Sequence, residues 1–571
     1  MSPPPPRPAS ALGGLRALGL WLAFSLAALA VHAPSLDGGW ILDDGVTIVH
    51  DPFIQDLSLD DLREIWDPSG AALVHSMNYA PLHLMVHAAE LAVFGPSPRA
   101  FRIVNLLLHA VTACLLVLLL ARSGIPLPGA VAGGAFFLVH PANAEAVSAA
   151  FQLKTVLSTA LGLWALLAVW KHPAAATLAF GAALLVKFSA AFALPTALVW
   201  AYTRSRDEPT PHWAWWVLWG ALLVAVAIPE FGAFERVGQN AVALGDDALT
   251  RVRSIVAIGA RYLAMAVVPV GVSAFHQPAP SGWSDPWWWL GLVSLGGLAW
   301  RWVWTLRRRS EEAGYWMLAV AAFAPVSQVF PFLYPMADRY LYAVLPGLIG
   351  AGLLAGGALL GPRLAGPGRA AGRWRTGLAA LLGVVLAGFA IGTHQRSPVF
   401  TSDAAMQREA ARNYPDGIHA RLLSAHAAGL RRDPEEIARH LRRLADLGFV
   451  NWTIFLGDPA LQPFLKHPAV REQIDGMAAR WIERLGAIAE PEQIELNMLA
   501  QAYLVRDELA PGIATLERAI ARGGPYIDSL EETLRHARRD ARIRGIAPRR
   551  QPRAPGRPSG FQGRVPIRGE P

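Results

Sequence analysis

The sequence predicts an all-α, polytopic membrane protein of about eleven transmembrane helices, followed by a C-terminal tetratricopeptide-like helical tail. Three observations carry that expectation. Hydrophobic residues make up 53% of the chain and charged residues only 16%, against roughly 25% charged in soluble domains. Apolar runs near the roughly 20 residues that cross a bilayer recur up to about residue 396. After Ser397 the chain turns charged and amphipathic. The expected organisation is a cytoplasmic N-terminus 1–14, a membrane domain 15–396 with an acidic external loop 34–80, a helical domain 400–540 and a disordered basic tail 541–571.

The first span is expected at 15–33. It is long for the apolar core of a signal peptide, and the Asp37-Gly38-Gly39-Trp40 that follows is a weak cleavage context. The loop after it carries Asp37, Asp43, Asp44, Asp51, Asp56, Asp60, Asp61, Glu64 and Asp67, with Arg63 as its one Arg and no Lys. Arg7 lies before the span and Arg16 at its very start, so the positive-inside bias sets the N-terminus in the cytoplasm and the loop outside. The apolar 81–94 stretch is short for a span and suits an interfacial helix.

Further spans are expected at 100–121, 127–140 and 146–170. The 173–203 segment has Lys187 at its middle and divides into two short helices. Then come 212–229, an outer stretch 230–286 whose 253–272 portion dips into the membrane, and spans at 287–305, 314–332, 340–361 and 376–393; the alternative counts 173–203 as one span and 253–272 as a span, with the same total and the same ends. Arg307–Arg309 and the Arg363–Arg375 loop fall inside, which leaves the tail outside. A bacterial inner membrane with a periplasmic C-terminal domain is the expected location.

The formal charge of +8 comes largely from such loop clusters, which argues for a membrane partner and against nucleic acid. The sole cysteine, Cys114, lies in an apolar run and forms no internal disulfide. In the tail, Pro491 and Pro525 bracket Leu499, Ala502-Tyr503 and Ala519-Ile520. Their spacing matches the roughly 34-residue tetratricopeptide period. A vaguer helix pair lies at 417–448.

Ionisable groups at a membrane are functional candidates, because burying them is costly. Asp43-Asp44 follows the first span; paired carboxylates can supply a general base, and a solvated turn is the plainer alternative. His83, His87 and Glu90 lie at spacings that can hold zinc, against a helix with polar residues on its wet face. His140-Pro141-Ala142-Asn143-Ala144-Glu145 makes a sharp turn with a second acid. Lys187 and Asp338-Arg339-Tyr340 supply cations suited to phosphate, with snorkelling as the alternative.

The order of Trp40–Asp44, Tyr79–Leu82, Phe101–His109 (FRIVNLLLH), Phe136–Val147 (FFLVHPANAEAV), Lys187 and Ala337–Tyr342 (ADRYLY) resembles the transmembrane and tetratricopeptide-repeat O-mannosyltransferase-like proteins of the glycosyltransferase C superfamily. The resemblance covers about residues 20–395 and, loosely, the tail. It implies an enzyme that takes a mannose-like hexose from a polyprenyl-phosphate lipid. The acceptor is a hydroxyl of a protein or glycan, and transfer is on the extracytoplasmic side of the membrane, with inversion and without metal or cofactor.

By that resemblance Asp43 is the base, Asp44 its partner and Glu145 the second-loop acid, while Lys187, Arg339 and Tyr340 face the donor phosphate. Tyr79, His83, Asn105 and His140 are the acceptor or pocket residues, and the tail holds the acceptor. Two positions depart from the family pattern: Ala80 stands where Arg is usual and Phe188 where Glu is usual. The alternatives are a non-catalytic repeat protein of envelope assembly and a lipid or glycan transporter.

Overall fold

The computed structural model describes residues 13–204, 210–238, 244–245, 247–269, 271–329, 334–366 and 368–545. Most of the expected N-terminal segment 1–14 and of the basic tail 541–571 lies outside the described residues. The described chain is helical throughout, with no strand and one isolated antiparallel bridge between His276 and Met336. It divides into two compact units between Met477 and Ala478.

Among the described residues of the first unit six helices are long and apolar enough to cross a membrane: Gly14–Ser35, Pro98–Arg122, Ala150–Ala168, Trp213–Ala233, Leu345–Leu364 and Arg369–Thr401. At 1.5 Å per residue the 25 residues of Pro98–Arg122 reach about 37 Å, enough for a hydrocarbon core of about 30 Å. Shorter apolar helices are Pro81–Phe94, Leu127–Leu138, Pro173–Val186, Phe188–Thr203 and Glu312–Val326. Large apolar side chains face outward: Leu15, Leu18, Leu22 and Leu26 on one helix, and Val217, Val224 and Ile228 on another. Outward apolar faces on successive helices are what a lipid solvent selects.

Pro98–Arg122 packs against Gly14–His32, Leu127–Leu138 and Leu153–Ala168, so it lies at the centre of the core. Close helix approach elsewhere depends on small residues. Gly350 meets the Tyr315 ring, where a Cβ would come within 2.1 Å of ring carbon Cδ1.

Three details differ from the sequence reading. Trp213–Gly238 continues past Pro229 rather than ending at it; a membrane helix tolerates an internal proline where neighbours satisfy the freed carbonyl. Residues 253–267 belong to a 20-residue helix, Ala248–Val267, whose N-cap Asp247 accepts from Leu249 and Thr250. Finally, Pro81–Phe94 buries His83, His87 and Glu90 instead of presenting them to water. His87 Nδ1 lies 2.7 Å from Glu90 Oε2, and a small core of Phe53, Ile54, Ile65 and Ala72 packs on Leu84 and Ala88. The acidic loop is thereby folded onto this helix.

The 173–203 segment breaks at Lys187, with Pro173–Val186 before it and a 3-10 turn leading to Ala193–Thr203 after it. Beyond the last long helix, Asp403–Asn413 precedes an antiparallel pair, Ile418–Leu430 and Pro434–Asp446. Asp433 caps that second helix through Glu436 N, with Pro434 at its first position.

In the second unit, Gln493–Val505, Leu509–Arg522 and Ile527–Ile543 pack in succession. Leu496, Ala500, Leu516, Ala519, Leu530 and Leu534 form their core. Pro491 and Pro525 flank the first helix pair.

Candidate functional site

The site is assembled around the turn after the first helix. Gly38 lets two chain segments meet: a Cβ there would lie 2.5 Å from Thr401 Cα, and Gly39 N donates to Thr401 O at 3.0 Å. The buried Arg102 guanidinium fixes this junction. It donates to Ser148 O at 2.8 Å, to Gly38 O at 2.5 Å and also to the carbonyls of Gly39 and Phe400. Asn105, one turn on, donates to Ala149 O at 2.9 Å. His109 bonds Tyr342 OH at 2.8 Å and Leu138 O at 3.1 Å. The polar residues of FRIVNLLLH are therefore ties between loops and helices.

This junction sets the acidic pair in opposite directions. Leu42 takes φ +49°, uncommon for a bulky residue and costing of order 1–3 kcal/mol. Its amide donates to Asp403 Oδ1 at 2.8 Å. Next to this bend Asp44 turns inward and is fully buried, accepting from Ile41 N at 3.0 Å and Phe151 N at 2.8 Å. Burial pushes its carboxyl up to about 6, against those two amides and Arg102. Asp43 is exposed, and its carboxylate makes no hydrogen bond or ion pair among the described residues. Its backbone carbonyl instead accepts from Val46 and Thr47.

Around Asp43 the structure gathers charges from distant parts of the chain. Lys154, in the first turn of Leu153–Ala168, lies in the electrostatic reach of Asp43, Glu230 and Arg339. Lys187 is in the field of Lys154, Arg339, Glu230 and Glu145, and its Nζ donates to Thr155 Oγ1 at 2.8 Å. Glu230 accepts from Tyr79 N at 2.7 Å.

Glu145 is fully buried and takes Arg339 twice, through the guanidinium and through the backbone N–H at 3.1 Å. Burial works against the Arg339 charge, but Glu145 more than restores it and holds the guanidinium above its ordinary pKa. Tyr340 and Tyr334 rings flank that guanidinium at 5.1 Å. Buried His83 stacks edge-on against His87 and lies in the field of both lysines.

Of the residues singled out from sequence, Asp43, Glu145, Lys187, Arg339, Tyr340, Tyr79 and His83 are brought together. Asp44 and Asn105 point into the packing behind them. His140 also faces away: its Nε2 lies 3.2 Å from Ala266 O, and its Nδ1 accepts from Ala142 N. Among the described residues no group of three or more His, Cys, Asp or Glu side chains is arranged to hold a metal.

Sequence reasoning missed Lys154, Glu230, Arg102 and a buried network beneath Arg339. In that network Asp338 accepts from Arg396, with His276 Nε2 at 2.7 Å and Ser273 N at 3.3 Å. Arg396 also bonds Glu409 at 2.9 Å, on the helix that follows the last span. Burial raises the Asp338 carboxyl, but Arg396 and His276 overcome it and hold the pKa below the usual carboxylate value.

Fold and site define an all-helical membrane protein with a mixed acid and cation cluster at the ends of its helices. Comparison with known proteins adds one partial likeness. Protein O-mannosyl-transferase Tmtc1 of Drosophila melanogaster is 30% identical over 155 residues, covering 26% of this chain and 18% of that relative. No family model and no solved structure matches.

Proposed function

We propose that this chain is a membrane glycosyltransferase that moves a mannose-like hexose from a polyprenyl-phosphate lipid to a hydroxyl, on a protein or glycan, at the outer face of a bacterial inner membrane. The partial likeness to an O-mannosyl-transferase supports the glycosyltransferase class. The observation that carries the reading is the position of Asp43: an exposed carboxylate in the field of Lys154, beside a cluster that also holds Lys187, Glu230 and the Glu145–Arg339 pair.

In this reading Asp43 accepts the acceptor's proton, as a general base within reach of an incoming hydroxyl. Charge moves onto the departing lipid phosphate, where Lys187 and Arg339 stabilise it. Asp44 and Glu145 hold the backbone of the two loops that supply these groups. Eleven spans, with the tail outside as tetratricopeptide-type repeats that hold the acceptor, complete the proposal.

The test is transfer in vitro. Purified full-length protein in detergent is given polyprenyl-phosphate mannose with labelled sugar and a panel of hydroxyl acceptors. Transfer by the native chain and none by Asp43→Asn is the expected result. Equal transfer by both proteins removes Asp43 from the mechanism.

A further inference from the structure

Arg339 is the obvious phosphate ligand in the sequence, and in the structure its guanidinium also pairs with Glu145, whose second carboxylate oxygen takes the Arg339 backbone N–H. The lysines are different. Among the described residues the one hydrogen-bond partner of Lys187 Nζ is a neutral hydroxyl, Thr155 Oγ1. That hydroxyl belongs to the residue after Lys154, and itself donates to Gln152 Oε1 at 2.6 Å. Lys154 has no carboxylate within ion-pair distance and no hydrogen-bond acceptor among the described residues. Lys187 lies in the field of Lys154, and the carboxylate both share is Glu230, which is anchored to Tyr79 N; Asp43 also acts on Lys154 and Glu145 on Lys187, neither at ion-pair distance. Like charges brought together without direct partners in a poorly hydrated site are costly, and an anion seated between them removes that cost.

We propose that Lys154 and Lys187 form the seat of the donor's phosphate group, with Glu230 as the counter-ion that the phosphate outcompetes. This rests on the lipid-phosphate donor reading above and adds to it Lys154 and Glu230, which no motif carries. In the transfer step the acceptor oxygen forms a bond to the sugar's anomeric carbon, and the bond from that carbon to the phosphate oxygen breaks. The acceptor's proton goes to Asp43, and the lipid phosphate leaves with one more negative charge. That added charge develops beside Lys154 and Lys187. The same lysine pair serves binding and the departing group, so the strongest interaction falls on the leaving phosphate.

The test measures binding rather than turnover. Full-length protein in detergent is titrated calorimetrically with farnesyl phosphate, farnesol and inorganic phosphate. The native chain is expected to bind farnesyl phosphate and to bind the other two more weakly. Lys154→Met should weaken farnesyl phosphate binding roughly ten- to a hundred-fold, the factor carried by a hydrogen bond to a charged group. Lys154→Arg should restore most of it. Glu230→Gln, which keeps an acceptor for Tyr79 N, should tighten it.

Unchanged affinity in Lys154→Met, with the native protein binding normally, overturns the lysine seat while leaving the donor reading intact. Absence of farnesyl phosphate binding in the native chain overturns the donor reading itself. Inorganic phosphate binding as tightly as farnesyl phosphate, with the same Lys154 dependence, keeps the seat and overturns a lipid donor. Matching melting temperatures of Lys154→Arg, Glu230→Gln and the native protein separate these results from misfolding.

Discussion

Asp43 and Asp44 are adjacent and chemically identical, yet the structure assigns them opposite costs when they are replaced. Asp44→Ala leaves Ile41 N and Phe151 N buried without acceptors. Each unsatisfied group costs about 1–3 kcal/mol, so the variant should lose about 2–6 kcal/mol. Asp43→Ala removes an exposed side chain that bonds nothing among the described residues, and should change stability by no more than about 0.5 kcal/mol.

The Asp44 cost also depends on pH. Its carboxyl is raised from 3.8 to about 6 in the folded protein. The stability linked to that shift is fully present below the unfolded value and is lost as pH rises through the folded one. Between pH 8 and pH 5 the native protein therefore gains about 1.4 kcal/mol from this group that Asp44→Ala does not. The assay is unfolding of the full chain in detergent, followed by intrinsic tryptophan fluorescence at both pH values. Equal destabilisation by the two alanine variants, or an Asp44→Ala deficit larger at pH 8 than at pH 5, refutes the inward placement of Asp44.

Other perturbations follow from the same packing. Arg396→Met removes the cation shared by the Asp338 and Glu409 carboxylates, which keep their other hydrogen bonds, and should cost about 3–5 kcal/mol by thermal unfolding. The Asp338 carboxyl lies below 3.8 in the folded state, so its contribution holds above about pH 4 and is lost in acid; Asp338→Asn should flatten that part of the acid limb of an unfolding titration. Arg102→Met releases the carbonyls of Gly38, Gly39 and Ser148, and roughly 3 kcal/mol or more should be lost. Limited proteolysis within residues 34–44 should quicken in the same variant. In the second unit Leu516 is fully buried; Leu516→Ala should lower its unfolding free energy by about 2–5 kcal/mol, seen as earlier hydrogen exchange in Leu509–Arg522.

Much of the architecture is legible in the sequence because bilayer solvation imposes length and apolarity on each long helix. The break at Lys187 is legible for a related reason, since a lysine inside an apolar run needs either an end or a partner. Lys154 offers the same signal inside the expected 146–170 span, but no family motif includes it and the sequence reading passed over it. Glu230 was hidden by Pro229, whose usual effect is to stop a helix; here the helix continues and carries the carboxylate into the cluster. Which member of Asp43-Asp44 faces outward was beyond reach, because it depends on the left-handed backbone at Leu42 and on Phe151, over a hundred residues away. The polar residues of FRIVNLLLH look like site residues in sequence for the reason they are structural in the fold: buried polar groups need partners.

The central claim, sugar transfer with Asp43 as base, is tested most directly without assuming the sugar or the acceptor. Envelope proteins and lipid-linked glycans are compared by mass spectrometry between cells expressing the native chain and cells expressing Asp43→Asn at equal levels. A glycan mass present with the native chain and absent with the variant, accompanied by accumulation of the unused lipid-linked sugar, is the expected result. Identical glycan profiles, from a variant that is folded and correctly inserted, contradict it.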